Sequence, residues 1–415
     1  MHRAITKSTE PNHIHRLALL GDHLATWTGG IDFLRICVSA LSSVSPGTSW
    51  NIVLQSKRVP KYMVVLAKNG IKKLLGMKTV PLADNRKRAL TNALKSSGAR
   101  IKIVYYDSPS DLPNAMRRCR TESLFPCQFS LGRSFPYPWI GYIPDLQHKR
   151  FPQWFSEVES SARNEQFSRI LAEAPAVVVN AAAVVRDIEE FYPNTRAKVF
   201  SLPYCPLGNQ PEFSAAERLA VRKAYGLPKR YFIVSNQFRI HKSHETAFRA
   251  LRLVRDAGHD VGLVCTGATT DYRWPEYFEN LRAIIEGIEL RDHIQIVGLL
   301  PKSDQLTMMC ESVAVIQPTL FEGGPGGGSV YDATSLNKAC IVSDIPINKE
   351  IDIGVVRFFA AGSAEDLAMK MIGMLENPPE MPRRDDLAAR LRIRRLEFAR
   401  VLAEAADWAS GNLLR

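Results

Sequence analysis

The residues best suited to chemistry lie in a glycine-rich segment in the second half of the chain. Glu322 stands directly before five glycines within positions 323–328, and Asp332 follows inside a helix-compatible run, 329–337. A glycine turn that opens a helix exposes backbone N–H groups and the positive end of the helix dipole, which together favour phosphate. Carboxylates only accept hydrogen bonds, so they suit ligands rich in hydroxyl groups. The segment therefore predicts a site for a sugar nucleotide.

Short apolar runs that alternate with helical stretches must position this turn. The first half of the chain has predicted strands at 17–20, 51–54, 101–105, 139–143 and 176–180. The second half has predicted strands at 231–235, 262–265, 293–297, 313–317 and 339–343. Continuous apolar strands separated by helices indicate parallel sheets covered on both faces. We therefore expect an α/β fold with two Rossmann-like, doubly wound domains that face each other across a cleft.

Proline and turn residues mark the expected boundary between the two domains at 202–211. The predicted organisation is a first domain over 1–205, a second domain over 206–386 and a terminal packing helix over 387–415. The helix is predicted because apolar residues recur there at near-helical spacing. A chain of 415 residues is too long for one hydrophobic core, which agrees with two domains.

The composition is typical of a globular protein that works in a reducing compartment. Hydrophobic residues make up 46% of the chain, and the seven cysteines form no Cys-x-x-Cys pair. This pattern predicts neither a disulfide framework nor a zinc site. The polar start, 1–16, does not resemble a secretory signal, and the most apolar stretch, 172–185, is too short to span a bilayer. The expected location is the cytoplasm.

Positive charge is concentrated in one segment. The chain has a formal net charge of +12, and residues 57–102 contain 13 Lys and Arg against one acid, which accounts for the whole excess. Apolar residues are interleaved with these cations, a pattern that favours binding to an anionic membrane surface. The alternative is a solvated basic surface that helps to attract an anionic nucleotide. No nucleic-acid-binding signature accompanies the charge, so nucleic acid is not an expected partner. We predict a peripheral protein at the inner face of the membrane.

The central motifs resemble those of glycosyltransferase family 4, whose members are retaining enzymes with the GT-B architecture. The resemblance covers 322–332 with 337–346, the loop 235–244 and the turn 298–301. It implies transfer of a hexose or deoxyhexose from a nucleotide-diphosphate sugar to a glycan or lipid-linked acceptor. The domain 206–386 would hold the donor and the domain 1–205 the acceptor. Cell-envelope polysaccharide synthesis, such as that of lipopolysaccharide, is the expected pathway.

The resemblance also assigns roles to residues of the second domain. Glu322 would contact hydroxyls of the donor sugar, and Asp332 would bind the ribose. The two acids are ten residues apart rather than the family's eight, and the second is Asp rather than Glu. Lys242 and Arg239 would neutralise the diphosphate, although the usual arginine position holds Gln237. The remaining predicted donor contacts are Gly298 and Leu299 at the base and Gly326, Gly327, Gly328 and Ser329 at the glycine turn.

Two motifs of the first domain are further candidates. Gly29 and Gly30 follow the first strand and would let backbone approach the diphosphate, unless they only form a tight turn. The segment 141–148 resembles the family's loop above the reacting sugar. Within it, His148 would contact the donor sugar or a phosphate, and Asp145 would orient His148 or contact the acceptor. A structural role for His148 is the alternative. The absence of an Asp-x-Asp motif argues against a metal-bound diphosphate, so neither metal nor cofactor is expected besides the sugar nucleotide.

Two other functions fit the same pattern. A sugar-nucleotide epimerase or phosphorylase would share the two-domain scaffold. An inactive relative that binds lipid or glycan would account for Gln237 and Asp332 at positions where the family has other residues.

Overall fold

The first domain is built on a seven-stranded parallel sheet with the strand order β3-β2-β1-β4-β5-β6-β7. The computed structural model describes residues 17–22, 24–26, 28–56, 90–92, 94, 99–208 and 212–412. The strands are β1 Leu17–Leu20, β2 Ser49–Gln55, β3 Arg100–Tyr106, β4 Ser123–Cys127, β5 Trp139–Tyr142, β6 Ala176–Val179 and β7 Lys198–Ser201. The helices are α1 Thr28–Val44, α2 Leu112–Cys119, α3 Gln147–Arg150, α4 Glu157–Glu173 and α5 Ala182–Phe191.

The second domain repeats this architecture with a six-stranded parallel sheet in the order β10-β9-β8-β11-β12-β13. Its strands are β8 Tyr231–Ser235, β9 Gly262–Thr266, β10 Ile294–Gly298, β11 Val315–Gln317, β12 Cys340–Ser343 and β13 Val356–Phe359. Its helices are α6 Ala215–Tyr225, α7 His244–Asp256, α8 Tyr277–Gly287, α9 Lys302–Glu311, α10 Gly327–Ser335 and α11 Ala364–Glu376. The expected α/β fold with two doubly wound sheets is confirmed.

All ten predicted strands are present, with ends that shift by at most two residues. Three strands were missed in the sequence: β4, β7 and β13. Pro126 lies inside β4, and proline in an apolar run argues against a strand. The other two, β7 and β13, are at sheet edges and carry Lys198 and Arg357, so they lack the continuous apolar pattern of buried strands. Most of the basic segment 57–102 lies outside the described residues.

The C-terminal helix α12, Arg384–Gly411, packs on both domains. Leu387 and Leu391 join the hydrophobic cluster on one face of the second sheet. Further along, Phe398 and Leu402 join a cluster with residues of β1, β2 and α1 in the first domain. The predicted domain limits at 205 and 386 remain predictions. None of the helices in the described part of the chain has both the length and the apolar composition needed to cross a membrane.

Polar contacts connect the two domains across the crevice between the sheets. Asn180, after β6, donates to the carbonyl of Gly323 at 3.1 Å. The N–H groups of Ala182 and Ala183, in the first turn of α5, donate to the carboxylate of Glu350 at 2.8 and 2.7 Å. The guanidinium of Arg273 pairs with Glu159 of α4 at 2.6 Å. The glycine turn of the second domain therefore faces the first domain directly.

Candidate active site

The candidate site lies where the neighbouring strands β8 and β11 end. Asn236 follows β8 directly, and Gln317 is the last residue of β11. The strand order reverses between these two strands, and doubly wound sheets bind ligands outside the carboxyl ends of their strands at such a point. The segment 318–326 leads from β11 to α10, so the fold itself places the glycine turn at this position.

The glycine turn has a backbone that other residues would adopt only with strain. Gly326 and Gly327 have positive φ angles of 70° and 60°, and a Cβ on Gly326 would lie 2.5 Å from that of Val330. The side-chain oxygen of Asn348 accepts from the Gly326 N–H at 2.8 Å and fixes the turn. Gly328 is exposed, with open space around its position. The first turn of α10 can therefore be approached from outside, as phosphate binding at a helix N-terminus requires.

Glu322 is buried at the base of this turn, with 8% of its side chain exposed. Its Oε1 atom lies 2.5 Å from Lys242 Nζ and 2.6 Å from Gln317 Nε2, both of which donate to it. Its Oε2 atom lies beside Gly327, where a Cβ would come within 2.9 Å. The structure thus brings Glu322 and Lys242 together and places their opposite charges directly under the N-terminus of α10.

Positive charge converges on the loop after β8. Burial, together with the charges of Lys242, Arg239 and Arg273, lowers the pKa of His241 to about 2. The Nε atom of Arg239 is buried and has no hydrogen-bond partner within the described ranges. Because a buried guanidinium donor without a partner is costly, the loop around Arg239 is suited to an anion. This arrangement agrees with the predicted diphosphate contacts, whose function stays a prediction.

Asp332 of α10 is paired with Lys302, the first residue of α9. Burial raises the pKa of Asp332 to about 6, against the opposing effect of the Lys302 ammonium. The same ammonium lies 3.9 Å from Asp32 of α1, which belongs to the first domain. The acid predicted to bind ribose therefore holds a cation of its own chain, and that cation also contacts the opposite wall of the crevice.

Asp145 faces the glycine turn from the first domain. A Cβ built on Gly323 would lie 2.9 Å from the carbonyl oxygen of Pro144 and 3.2 Å from the Cβ of Asp145, so glycine is required for this close approach. Asp145 accepts from the N–H of Gln147 at 3.0 Å and lies 3.6 Å from Arg163. It is therefore beside the turn that Glu322 precedes, and its predicted role toward the acceptor stays a prediction.

His148 is 2% exposed, and its ring packs edge-on against Phe155 and Phe167. Its Nε2 atom lies 3.1 Å from Asn164 Oδ1, and its buried Nδ1 atom has no partner in the described structure. Burial lowers the pKa of His148, which keeps the ring neutral. The observed contacts of His148 are with helix α4 and its surroundings, whereas those of Asp145 include the glycine turn.

The remaining predicted contacts differ in their surroundings. Gly30 is required by packing, because a Cβ there would lie 2.3 Å from the carbonyl oxygen of Leu24; Gly29 is beside it in the first turn of α1. Gly298 has a positive φ of 79° at the end of β10, and Leu299 is 81% exposed. Ser329 is buried and donates to Gln317 at 2.9 Å, so its hydroxyl is turned into the domain.

The first sheet has a buried carboxylate at its own reversal point, between β1 and β4. The carboxylate of Asp22 accepts hydrogen bonds from the backbone of Gln55 and from the hydroxyl of Tyr106. Burial and that hydrogen bond raise the pKa of Tyr106 well above its usual range. These contacts satisfy the buried carboxylate within the first domain.

Several residues of the site were missed in the sequence. Asn236 and Gln317 directly follow or end predicted strands, and that position was the signal that could have identified them. Lys302 follows the turn 298–301. Asn180 ends the predicted strand 176–180 and had the same signal. Asn348 gave no signal, because its partner in the glycine turn is distant along the chain. Among the described side chains, no group of three or more His, Cys, Asp or Glu residues could hold a metal ion.

The two doubly wound domains that face each other across a crevice define the GT-B architecture. Residues 218–392 match the family model described as glycosyl transferases group 1, and this segment contains the second sheet and the glycine turn. No curated protein is similar enough in sequence to count as a match.

Solved structures share the fold along almost the whole chain. HepE from Anabaena, in complex with UDP and glucose, has a TM-score of 0.60 at 12% identity, with 94% of this chain and 98% of that chain covered. Sucrose-phosphate synthase from Thermosynechococcus elongatus has a TM-score of 0.57 at 15% identity, covering 96% and 98%. WaaG, a glycosyltransferase involved in lipopolysaccharide biosynthesis, has a TM-score of 0.52 at 13% identity, covering 95% and 98%. These likenesses establish the shared architecture.

Proposed function

We propose that the protein is a retaining glycosyltransferase that moves a hexose from a nucleotide-diphosphate sugar to a glycan or lipid-linked acceptor. One observation carries this proposal: Glu322 and Lys242 are paired under the first turn of α10, in a crevice between two doubly wound domains. A carboxylate that accepts from hydroxyls and a cation that attracts phosphate suit the two parts of a sugar diphosphate. HepE, whose structure contains UDP and glucose, shares this fold and supports a nucleotide sugar as donor.

The donor would lie along the carboxyl ends of β8, β10 and β11. The N–H groups of the first turn of α10, together with Arg239 and Lys242, would hold the diphosphate. Glu322 would accept hydrogen bonds from the sugar hydroxyls, and Asp332 from the ribose. Leu299, whose side chain is largely exposed at the end of β10, would contact the base.

Positioning and charge stabilisation supply the catalysis in this proposal. When the bond from the anomeric carbon to the phosphate oxygen breaks, the nucleoside diphosphate gains negative charge, which Lys242 and Arg239 stabilise. The acceptor hydroxyl attacks on the face that the diphosphate leaves, and the departing phosphate oxygen takes its proton. A strong general base is then unnecessary, because the enzyme holds the reactants in place. Neither a metal ion nor a further cofactor takes part in this scheme.

The acceptor would enter from the first domain. Asp145 lies close enough to the glycine turn to orient an acceptor hydroxyl, which supports this placement. WaaG, which shares the fold, is described as involved in lipopolysaccharide biosynthesis. Together with the basic segment 57–102, this supports a lipid-linked acceptor in cell-envelope polysaccharide synthesis, at the inner face of the membrane.

The test begins with thermal shift and transfer assays on a panel of nucleotide sugars, UDP-glucose among them. Glu322→Gln should reduce transfer by about 100-fold or more, the usual loss when a hydrogen bond made in the transition state is removed, while UDP still binds. Glu311→Gln is the matched control, because Glu311 pairs with Arg218 and Arg222 in the same domain but outside the site. Transfer by Glu322→Gln at the wild-type rate would refute the assignment.

The same assay separates the alternative functions. Retention is checked by the anomeric configuration of the product. An epimerase would incorporate solvent deuterium into the sugar when no acceptor is present, and an inactive relative would bind no nucleotide sugar of the panel.

A further inference from the structure

Gln317 is a fully buried amide at the centre of the candidate site. It is 0% exposed and ends β11, so its side chain lies beneath the glycine turn. Its Nε2 atom donates to Glu322 Oε1 at 2.6 Å. Its Oε1 atom accepts from Asn236 Nδ2 at 2.6 Å and from Ser329 Oγ at 2.9 Å. Both ends of the amide therefore make hydrogen bonds, and the four side chains form one continuous hydrogen-bond network.

The chemistry of Glu322 determines which groups donate and which accept in this network. An ionised carboxylate can only accept, so the amide of Gln317 must turn its NH₂ group toward Glu322 and its oxygen away. That oxygen then needs donors, which Asn236 and Ser329 provide. Asn236 follows β8 and Ser329 belongs to α10. The amide of Gln317 therefore connects β8 and β11, between which the strand order reverses, to the helix that begins at the glycine turn.

In this network the two oxygens of Glu322 accept different numbers of hydrogen bonds. Oε1 accepts hydrogen bonds from both Lys242 Nζ and Gln317 Nε2. No side chain or backbone group in the described part of the structure donates to Oε2, which lies next to Gly327 at the start of α10. Two donors on one oxygen hold the carboxylate in a single orientation, with its second oxygen available beside the helix end.

We propose that Gln317 is a positioning residue, which aims Oε2 of Glu322 at the hydroxyl of the bound sugar. This inference rests on the proposed function and deepens it. Lys242 cannot do this alone, because its ammonium would be drawn toward the phosphate of the donor. Gln317 is neutral and fully enclosed, so it holds the carboxylate whether or not the phosphate is bound. Outer hydrogen bonds of this kind orient the groups that contact a ligand and affect activity strongly.

The first experiment compares Gln317→Met with the wild type and with Gln295→Met. Methionine is close in size and removes both hydrogen-bonding ends. Gln295 lies on β10 and donates to the carbonyl of Tyr225, so the control also loses a side-chain amide contact in this domain. Gln317→Met should lower kcat by about 10- to 100-fold, with little change in the KM for the donor and in UDP affinity. Equal losses of kcat in the two variants would overturn the proposal.

Gln317→Glu supplies a second readout that a purely structural role would not change. Two carboxyl groups 2.6 Å apart cannot both ionise readily, so they share a proton at low pH. The shared proton replaces the amide N–H, and activity should be retained there. As pH rises and the introduced carboxyl ionises, repulsion should displace Glu322, so the variant loses activity where the wild type does not. A variant that follows the wild-type pH profile would contradict the positioning role.

A crystal structure of Gln317→Met separates this inference from the proposed function. The carboxylate of Glu322 should turn about its contact with Lys242, so that Oε1 no longer faces residue 317, while the backbone of the glycine turn stays in place. If the wild type handles no nucleotide sugar, the proposed function fails, and this structure still decides the role of Gln317. An unmoved Glu322 carboxylate would refute the positioning role whatever the substrate.

Discussion

Replacing Glu350 by glutamine should shift the protein toward an open crevice and slow transfer. Both carboxylate oxygens of Glu350 accept from backbone N–H groups in the first turn of α5, at 2.8 and 2.7 Å, across the domain boundary. Asn348, two residues earlier, fixes the glycine turn through the Gly326 N–H. Glu350 therefore joins the segment that holds the glycine turn to the first domain.

The structure also gives the size of the effect. Glutamine keeps one acceptor oxygen but loses the second acceptor and the negative charge at the positive end of α5. A hydrogen bond to a charged group contributes about 1.5–3 kcal/mol, and a charge at a helix N-terminus about 0.3–1 kcal/mol. Glu350 is 25% exposed, so we expect a net loss of about 1.5–3 kcal/mol. This corresponds to a change of about 10- to 150-fold in the ratio of closed to open molecules.

Small-angle X-ray scattering and steady-state kinetics test this prediction together. The Glu350→Gln variant should have a larger radius of gyration and a lower kcat, because closure excludes water and completes the site. UDP affinity should not weaken, since the predicted UDP contacts belong mainly to the second domain. Glu365→Gln is the control, because Glu365 also lies in the first turn of a helix, α11, but contacts only its own domain. Scattering and kcat that match this control would refute the reasoning.

Two further predictions follow from Asp332 and from the basic segment. Because the pKa of Asp332 is raised from 3.8 to about 6, the folded state holds this proton at higher pH than the unfolded state. The free energy of unfolding should therefore fall by up to about 3 kcal/mol as the pH rises from 4 to 6. Urea unfolding should show a smaller decline for Asp332→Asn. The double variant Lys72→Gln, Lys73→Gln should lose about 2 kcal/mol of binding to anionic vesicles. Co-sedimentation should show this loss at low salt, and equal binding of the wild type to neutral vesicles would contradict it.

The sequence was most informative where one segment contains both the residues and the element that positions them. Glu322 and the turn 323–328 are adjacent in the chain, and the strands on either side are apolar enough to be recognised. Their position at a strand end followed from the periodicity alone. Lys242 was identified through the resemblance to glycosyltransferase family 4, as a cation for the diphosphate. In the structure it contacts Glu322, because a parallel sheet brings the ends of its strands to one edge.

The sequence was uninformative about groups whose hydrogen-bond partners are distant along the chain. Helix α5 begins after Ala181, which has no side chain able to cap a helix. Its cap comes from Glu350 of the other domain, so no local pattern marks the start of α5, and the helix was missed. Neutral amides such as Gln317 are similar, because their role depends on three partners that the chain order does not bring together.

Under the proposed function, donor binding would be coupled to movement of the protein's own charges. Lys302 is paired with the carboxylate of Asp332, so ribose hydroxyls bound there as proposed would have to displace or share this ammonium. The same lysine lies 3.9 Å from Asp32 of the first domain. A ligand that draws Lys302 away from Asp332 therefore changes a contact between the domains. Because a ligand can shift a conformational equilibrium only through its different affinity for the two states, Lys302 would link donor binding to the width of the crevice if the donor ribose binds Asp332 as proposed.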